Sequence, residues 1–548
     1  MARNFLKSSL QNASFNIIFQ ILFRCVTFVL NAFVLRYVGQ SVLGVMNVRL
    51  LLLESTILFV SREAFRRACL SKTTEHNWAQ VVNLLWLTVP LCQVLSVVFG
   101  YIWLHVLEVP GPEITQHYKL GVYGICLSCI IEMFCEPVYL VSQAFLFVRF
   151  RVVMDTVLVF VRTLVFTPLL VYSPQQALVA FSFAHLLAAS IYTLGHYSYF
   201  HYYIVSQRNK YYHQKKDNVG GKSPETELDD FPFESILDFL PGRIENGSNI
   251  NQNVARLTWS FFKQGILKQV LTEGERYVMT LFSVLSFSEQ GIYDVVNNLG
   301  SLAARFIFRP IEDASYFYFS QMVGRDTSLQ EQNKTHIAES ANVLYKVLRC
   351  ITSIGLVILV FGQSYSRLLL YLYGGQNLAV GTGPMLMQVH CLAVLLLAVN
   401  GITECYSFAT MNTLQLDNYN YIMAVLSVLF LIFSWALTRL FGGVGFILAN
   451  CCNMAARIGH SVMFIRHQYQ HTEYRPLAGL IPGAYFIVML FLAFIITQCS
   501  EVFFFESSKL LHLGIGGVLF LGVMASWAYE EHELVSLALQ KWQIKKQD

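Results

Sequence analysis

Apolar residues run along this chain in long blocks, not in the strict alternation of strands or the narrow stripe of a soluble amphipathic helix. Each block is ~20 residues, the length that crosses the hydrocarbon core of a bilayer. The blocks fall at 15–37, 43–60, 81–106, 118–141, 152–172, 177–204, 264–286, 291–312, 343–372, 384–410, 419–438, 443–464, 479–499 and 510–529. They predict an all-α polytopic membrane protein with about 14 transmembrane helices. One long polar insertion, Ser206 to Arg256, interrupts the series. It is rich in Lys, Asp, Glu, Gly and Asn, and reads as a mobile cytosolic linker. Counting spans on either side of it predicts an N-terminal six-helix lobe over 1–205, a cytosolic linker over 206–256, a C-terminal six-helix lobe over 257–466, and a final helix pair with a cytosolic tail over 467–548. Two related lobes around a midplane site are a common transporter plan.

Composition sharpens this picture. Of 548 residues, 55% are hydrophobic and only 13% charged, against about 25% charged in a soluble chain. The mean hydropathy is +0.50. A polar surface for a soluble domain of this size cannot be built from so few charges, so the bilayer is the solvent. The net charge of +4 is small and scattered, which gives no case for nucleic acid. Lysine and arginine sort to one side of the predicted spans when the N-terminus is placed in the cytosol. Arg3, Lys7, Arg62, Arg66, Arg67, Lys72, Arg208, Lys210, Arg325, Lys334, Lys541, Lys545 and Lys546 fall on the cytosolic side, while the loop 108–116 has no Lys or Arg. Both termini are therefore expected in the cytosol, and the first block is read as a retained helix instead of a cleaved signal. Most of the 12 Cys lie within apolar runs, where they act as small hydrophobes. Cys126 and Cys129 form a C-x-x-C without a second pair, so no metal is expected.

Several spans carry charge that lipid would not tolerate. In the first, Asn16, Gln20, Arg24, Thr27 and Asn31 recur every three or four residues and share one helix face. The second has Asn47 and Glu54, and the fifth Arg151, Asp155 and Arg162. The seventh packs Lys268, Glu273, Glu275 and Arg276 into nine residues. The eighth has Asp294, Asn298, Ser301, Arg305, Arg309 and Glu312 on one face. A charge at the bilayer centre costs roughly 2.5–3.5 kcal/mol on the insertion scale, so four in one span facing lipid would cost about 10–14 kcal/mol. These faces must meet each other or line a hydrated cavity. At the cytosolic mouth, Arg62 and Arg66 stand one turn apart, with Arg67 beside them, and are spaced to grip one anionic group. The spacing also lets Glu273 with Arg276, and Asp155 with Arg151, neutralise each other as helical ion pairs. His185 and His390 read as packed histidines, and Glu404 beside Gly401 as a candidate cavity acid.

Missing motifs narrow the function. No G-x-x-x-x-G-K-[ST], H-E-x-x-H or G-x-S-x-G is present, so neither an ATP-driven motor nor a hydrolase of those types is expected, and no cofactor is implied. The luminal loops are short and poor in paired acids, unlike those expected of a membrane glycosyltransferase. The sequons at Asn12, Asn246 and Asn333 fall on the predicted cytosolic side.

Six segments carry a family resemblance. Leu30-N-A-F33 with Val45-M-N-V-R49 and Ser61-R-E-A-F-R-R-A-C-L70 resemble the opening of the eukaryotic Rft-type oligosaccharidyl-lipid proteins of the endoplasmic reticulum. Phe261-F-K-Q-G-I-L-K-Q-V-L-T-E-G-E-R-Y-V-M-T280 is similar to that family's most distinctive block, as is Gly291-I-Y-D-V-V-N-N-L-G-S-L-A-A-R305 followed by Arg309-P-I-E-D313. The family resembles the multidrug/oligosaccharidyl-lipid/polysaccharide exporter superfamily. This implies two six-helix lobes with two extra helices, and a non-enzymatic role in asparagine-linked glycosylation. The implied substrate is the five-mannose dolichol-pyrophosphate oligosaccharide made on the cytosolic face and used in the lumen. The ending Lys545-K-Q-D548 resembles a dilysine retrieval signal of that compartment.

On this reading, an intramembrane glycolipid transporter carries the pyrophosphate on basic groups and the glycan on amides and acids. Arg24, Arg62, Arg66 and Arg67 would serve capture; Lys268, Arg276, Arg305 and Asn298 the central site; Glu54, Glu275 and Asp294 gating or charge balance. The dolichol tail would stay in lipid. The alternative is a protein that binds, chaperones or scaffolds the same pathway, with other glycosylation proteins as partners, and does not move the lipid. A third reading, an ion-coupled exporter of small cations, calls for a cavity dominated by acids, whereas basic residues are at least as prominent here.

Overall fold

The computed structural model describes residues 26–532, apart from 27, 71–76, 218–230, 245–247, 326–328 and 330, and residue 536. Among these, every regular element is helical. Among the described residues nine helices are long and apolar enough to cross a membrane, or ten when one bent pair is counted as a span. The protein is an all-α, multi-pass membrane protein.

The chain forms two compact units, Met1–Ser283 and Val284–Asp548. In the first, α1 (Gln40–Cys69) and α2 (Trp78–Val106) are continuous helices. They are followed by α3 (Pro112–Met133) and α4 (Glu136–Ala144), then α5 (Val148–Tyr172) and α6 (Ala177–Asp217). Next come α7 (Gln252–Thr272) and α8 (Gly274–Phe282). Helix α1 is central and packs on α2, α3 and α7, while α6 packs on α3 and α5. Close approach of α3 to α6 relies on small residues: a Cβ on Gly124 would lie 2.7 Å from that of Ser182, the small-residue contact typical of helices in lipid.

The predicted fourth span is two helices bent by 48°. Pro137 explains the break, because it cannot donate to the carbonyl of Met133 and its ring clashes there. The predicted seventh span starts earlier, at Gln252, and breaks at Glu273, whose backbone leaves helical geometry.

The insertion at 206–256 differs from a uniformly mobile linker. Helix α6 runs on to Asp217, and residues 231–244 and 248–251 fold back onto α2, α4 and α6. Phe233 and Phe239 are buried with Phe200 and Val138, ringed by Phe145, Phe147 and Phe231. Asn83 donates to the carbonyl of Gly242 at 2.8 Å and accepts from its amide at 2.9 Å. Trp86 Nε1 donates to the carbonyl of Phe239 at 2.8 Å. Three phenylalanines, with Ile236 and Ile250 beside the same cores, supply the apolar surface that docks these residues.

In the second unit, α9 (Phe287–Gly300) leads through a π turn, Ala304–Phe308, into α10 (Arg309–Met322). Here Pro310 removes a backbone donor and widens the turn, so the predicted polar face of the eighth span is interrupted at Arg305. Then follow α11 (Lys334–Gly374), α12 (Gly383–Thr410), α13 (Thr413–Phe441) and α14 (Gly443–Gln468). Helix α14 is long enough to span, but Asn450, Asn453, Arg457 and His460 make it more polar than the nine. Helix α12 is central, packing on α10, α11 and α14.

The last pair, α15 (Ala484–Phe504) and α16 (Lys509–Glu530), packs on α11, mainly through α15. Ser364 donates to Thr497 at 3.0 Å, and His512 stacks on Tyr365 while lying 2.8 Å from Ser500 Oγ. The Glu530 carboxylate caps the start of α15 by accepting from the amides of Tyr485 and Phe486, where the helix dipole favours an anion.

Candidate functional site: two buried charge networks

The richest chemistry of the first unit is a ladder of alternating charge. It begins near the middle of α1, where Glu54 accepts from Arg162 of α5 at 2.6 Å. Arg162 also stands 3.6 Å from Glu132 at the end of α3. Glu132 accepts from Arg62 at 2.5 Å, and Arg62 stands 3.5 Å from Glu136, the first residue of α4. Glu136 accepts two bonds from Arg66, at 2.6 and 2.8 Å. The Arg66 guanidinium lies over the Tyr139 ring, 3.9 Å from its centre, which fixes the plane of the fork. His185 Nε2 of α6 is 3.5 Å from Glu54. From Glu54 to Arg66 the ladder extends ~18 Å along α1.

Three arginines therefore meet three glutamates. All three glutamates are buried, while the arginine side chains keep 16–21% exposure. The arrangement removes the penalty of an isolated charge in the membrane, since each ion has its counter-ion in hydrogen-bonding distance. It also means that Arg62 and Arg66, expected as an anion grip, already hold carboxylates. Arg67 pairs with Glu63 at 2.8 Å on the half-exposed side of α1. Asp155 accepts from the Tyr192 hydroxyl at 3.0 Å.

The other expected site residues of this unit fall as follows. Arg24 lies outside the described residues, as do Asn16, Gln20 and Thr27 of the same stripe. Lys268 is within α7, but its side chain is outside the description. Arg276 donates to Glu273 at 3.2 Å, the helical pair that the spacing allowed. Glu275 sits in the first turn of α8.

The second unit has a smaller network around one acid. Glu404 of α12 is buried and accepts from Arg457 of α14 at 2.5 and 2.6 Å. It also accepts from the Tyr419 hydroxyl of α13 at 2.7 Å and from Asn400 at 2.9 Å. Beside it, Gly401 makes room for the Glu312 side chain, whose Oε1 would stand 1.8 Å from any added Cβ. On α9, Asn298 donates to the buried Asp294 at 3.0 Å. Arg305 is exposed and turns back along its own helix to the Asn298 carbonyl at 3.1 Å and to Ser301. The structure thus groups Asp294, Asn298 and Arg305 with one another, and separately Glu54 with Arg62 and Arg66.

Glu132, Glu136 and Arg457 were not singled out from the sequence. A signal was available for the first two: an i, i+4 pair of acids in an apolar run has the same spacing as the i, i+4 pair Arg62 and Arg66. His185, read as a packed histidine, is buried but belongs to the ladder. His390 packs against Gly300, where an added Cβ would lie 2.0 Å from its ring. Among the described residues no group of His, Cys, Asp and Glu is arranged to hold a metal ion.

Comparison with known proteins adds the family. The family model Rft-1, described as Rft protein, matches residues 8–541. A Drosophila melanogaster protein named "Man(5)GlcNAc(2)-PP-dolichol translocation protein RFT1" is 47% identical, covering 98% of both chains. Its Xenopus tropicalis namesake is 43% identical, again over 98% of both. Among solved structures, "Lipid II flippase MurJ, inward closed conformation" aligns with a TM-score of 0.56 at 12% identity, over 94% of this chain and all of the other. That likeness shows a shared fold. With a family match over nearly the full length and relatives of this similarity at matched length, the chain belongs to the Rft protein family.

Proposed function

We propose that this protein translocates the dolichol-pyrophosphate-linked five-mannose oligosaccharide from the cytosolic to the luminal leaflet of the endoplasmic reticulum, for use in protein N-glycosylation. The observation that carries the reading is the 47% identity, over 98% of both chains, to a relative named for translocation of that lipid. The physical task is to move a diphosphate and a glycan across an apolar core while the isoprenoid tail remains in lipid. Arginine suits the diphosphate because its planar fork bonds two oxygens at once. Amide and carboxylate side chains suit sugar hydroxyls.

In this reading Arg24, Arg62, Arg66 and Arg67 capture the head group. Lys268, Arg276, Arg305 and Asn298 carry it, and Glu54, Glu275 and Asp294 balance charge. Both termini face the cytosol. Charge reversal at Arg24 or Lys268 is expected to abolish function in cells at unchanged protein level, and full complementation by either variant would remove those residues from the site.

A second reading is favoured by one observation: all three ladder arginines of the first unit are already held by glutamates, as in a static binding or scaffold protein. Purified protein in proteoliposomes with a labelled dolichol-pyrophosphate oligosaccharide separates the two. Accelerated exposure of the glycan to an impermeant lectin supports translocation. Binding without acceleration supports the second reading.

A further inference from the structure

We propose that Glu132 and Glu136 act as built-in stand-ins for a diphosphate, so that the ladder end formed by Arg62 and Arg66 is a diphosphate subsite held closed by its own carboxylates. This rests on the reading that the protein handles a diphosphate lipid. The geometry points to it in three ways. First, Arg66 offers Nε and an Nη to the two oxygens of Glu136 at 2.8 and 2.6 Å, the same two-pronged contact it would make with phosphate. Arg62, one turn away, takes Glu132 at 2.5 Å and reaches Glu136 at 3.5 Å. Two forks one turn apart, bridged by one carboxylate, match a ligand with two linked anionic groups.

Second, the arginines are the reachable partners. Their side chains are 21% and 16% exposed, while those of Glu132 and Glu136 are 6% and 2% exposed. A ligand therefore meets the cations from the open side while the carboxylates approach from behind.

Third, the two glutamates flank the 48° bend between α3 and α4. Glu132 is in the last turn of α3 and Glu136 opens α4, directly before Pro137. A change in that bend shifts both carboxylates relative to α1 without breaking either helix. Stability gives little reason to keep such a ladder, since buried ion networks are often no more stable than apolar packing of the same volume. A diphosphate diester carries one negative charge on each phosphate, so it offers the two adjacent guanidinium groups the same charge as Glu132 and Glu136 together. No bond is made or broken. The exchange is of counter-ions only.

The test is direct binding of inorganic pyrophosphate, with inorganic phosphate and acetate as controls, to the purified full-length protein. Glu136→Gln keeps the side-chain shape and removes the competing charge. It is expected to tighten pyrophosphate binding about ten- to a hundredfold. The charge-neutral pair Glu136→Gln with Arg66→Gln is expected to lose that gain while melting like the wild type.

Three results overturn the proposal. They are unchanged affinity in Glu136→Gln, equal affinity in the paired variant, or equal tightening toward acetate, which means adventitious anion binding only. Should Glu136→Gln not purify folded, Glu132→Gln releases Arg62 and is read by the same titration, with the same overturning results. Translocation is measured separately. Tightened pyrophosphate binding without translocation leaves this subsite standing and refutes the transport reading, and translocation without tightening does the reverse.

Discussion

In the first unit, Glu54, Glu132 and Glu136 share Arg62, Arg66 and Arg162 along a ladder in which Arg62, Arg162, Glu132 and Glu136 each face two opposite charges. In the second, Glu404 draws on one cation, one hydroxyl and one amide. Both arrangements make a buried acid tolerable inside an apolar bundle, by different means. Glu404 is satisfied locally, and exchanging it involves three neighbours. The ladder is satisfied collectively, and an incoming ion disturbs it along its length. A shared ladder can pass a perturbation from the end of α1 to its middle, whereas an enclosed acid braces α12, α13 and α14 against one another.

The largest effect that sharpens this contrast is expected from Arg162→Leu. It leaves Glu54 and Glu132 short of a counter-ion in the bundle, and a broken buried pair destabilises by about 3–5 kcal/mol. A thermal melt of detergent-solubilised protein is the readout. Glu54→Leu combined with Arg162→Leu is expected to recover much of the loss, and failure to recover would show that the pair is not the unit of coupling.

Next comes Glu404→Leu, which strands Arg457, Tyr419 and Asn400. Because each lost partner is a neutral donor or a partly exposed cation, about 1–3 kcal/mol is expected in the same melt. A larger loss than for Arg162→Leu would invert the comparison. Gly401→Ala pushes a methyl group toward Glu312, and crowding of this kind costs about 1–3 kcal/mol. Smallest is Tyr419→Phe, which removes one hydroxyl from an acid that keeps two other donors, at about 1 kcal/mol.

Much of the architecture was legible in the sequence, because apolar block length is set by bilayer thickness. The blocks at 43–60, 81–106 and 343–372 correspond to α1, α2 and α11. What was not legible has local causes. The break before Pro137 lies within an apolar run that reads as continuous by hydropathy alone, and the π turn before Pro310 lies where the regular polar spacing reads as one unbroken helix face. The docked residues 231–244 and 248–251 mix apolar and polar positions without a helical or strand period, and the placement of Phe231, Phe233, Ile236 and Phe239 gives them a buried face.

The individual ionisable residues were readable, but their partners were not. Arg62 and Arg66 are separated from Glu132 and Glu136 by 70 residues, and periodicity reports only neighbours on the same helix. Pairs such as Glu273 with Arg276 were readable for that reason. The complementary spacing of two acids on one span and two bases on another is a stronger clue than either pair alone.

Under the proposed function, the buried ladder serves passage of the lipid's diphosphate and is more than a brace. It is tested most directly by the rate of glycolipid translocation in proteoliposomes containing the charge-neutral variant Arg62→Gln with Glu132→Gln, at matched folded protein. If the ladder serves passage, the wild type accelerates exposure of the glycan and the neutral pair, though folded, falls to the rate of empty liposomes. Translocation by the neutral pair at the wild-type rate would contradict it and leave the ladder as structural support.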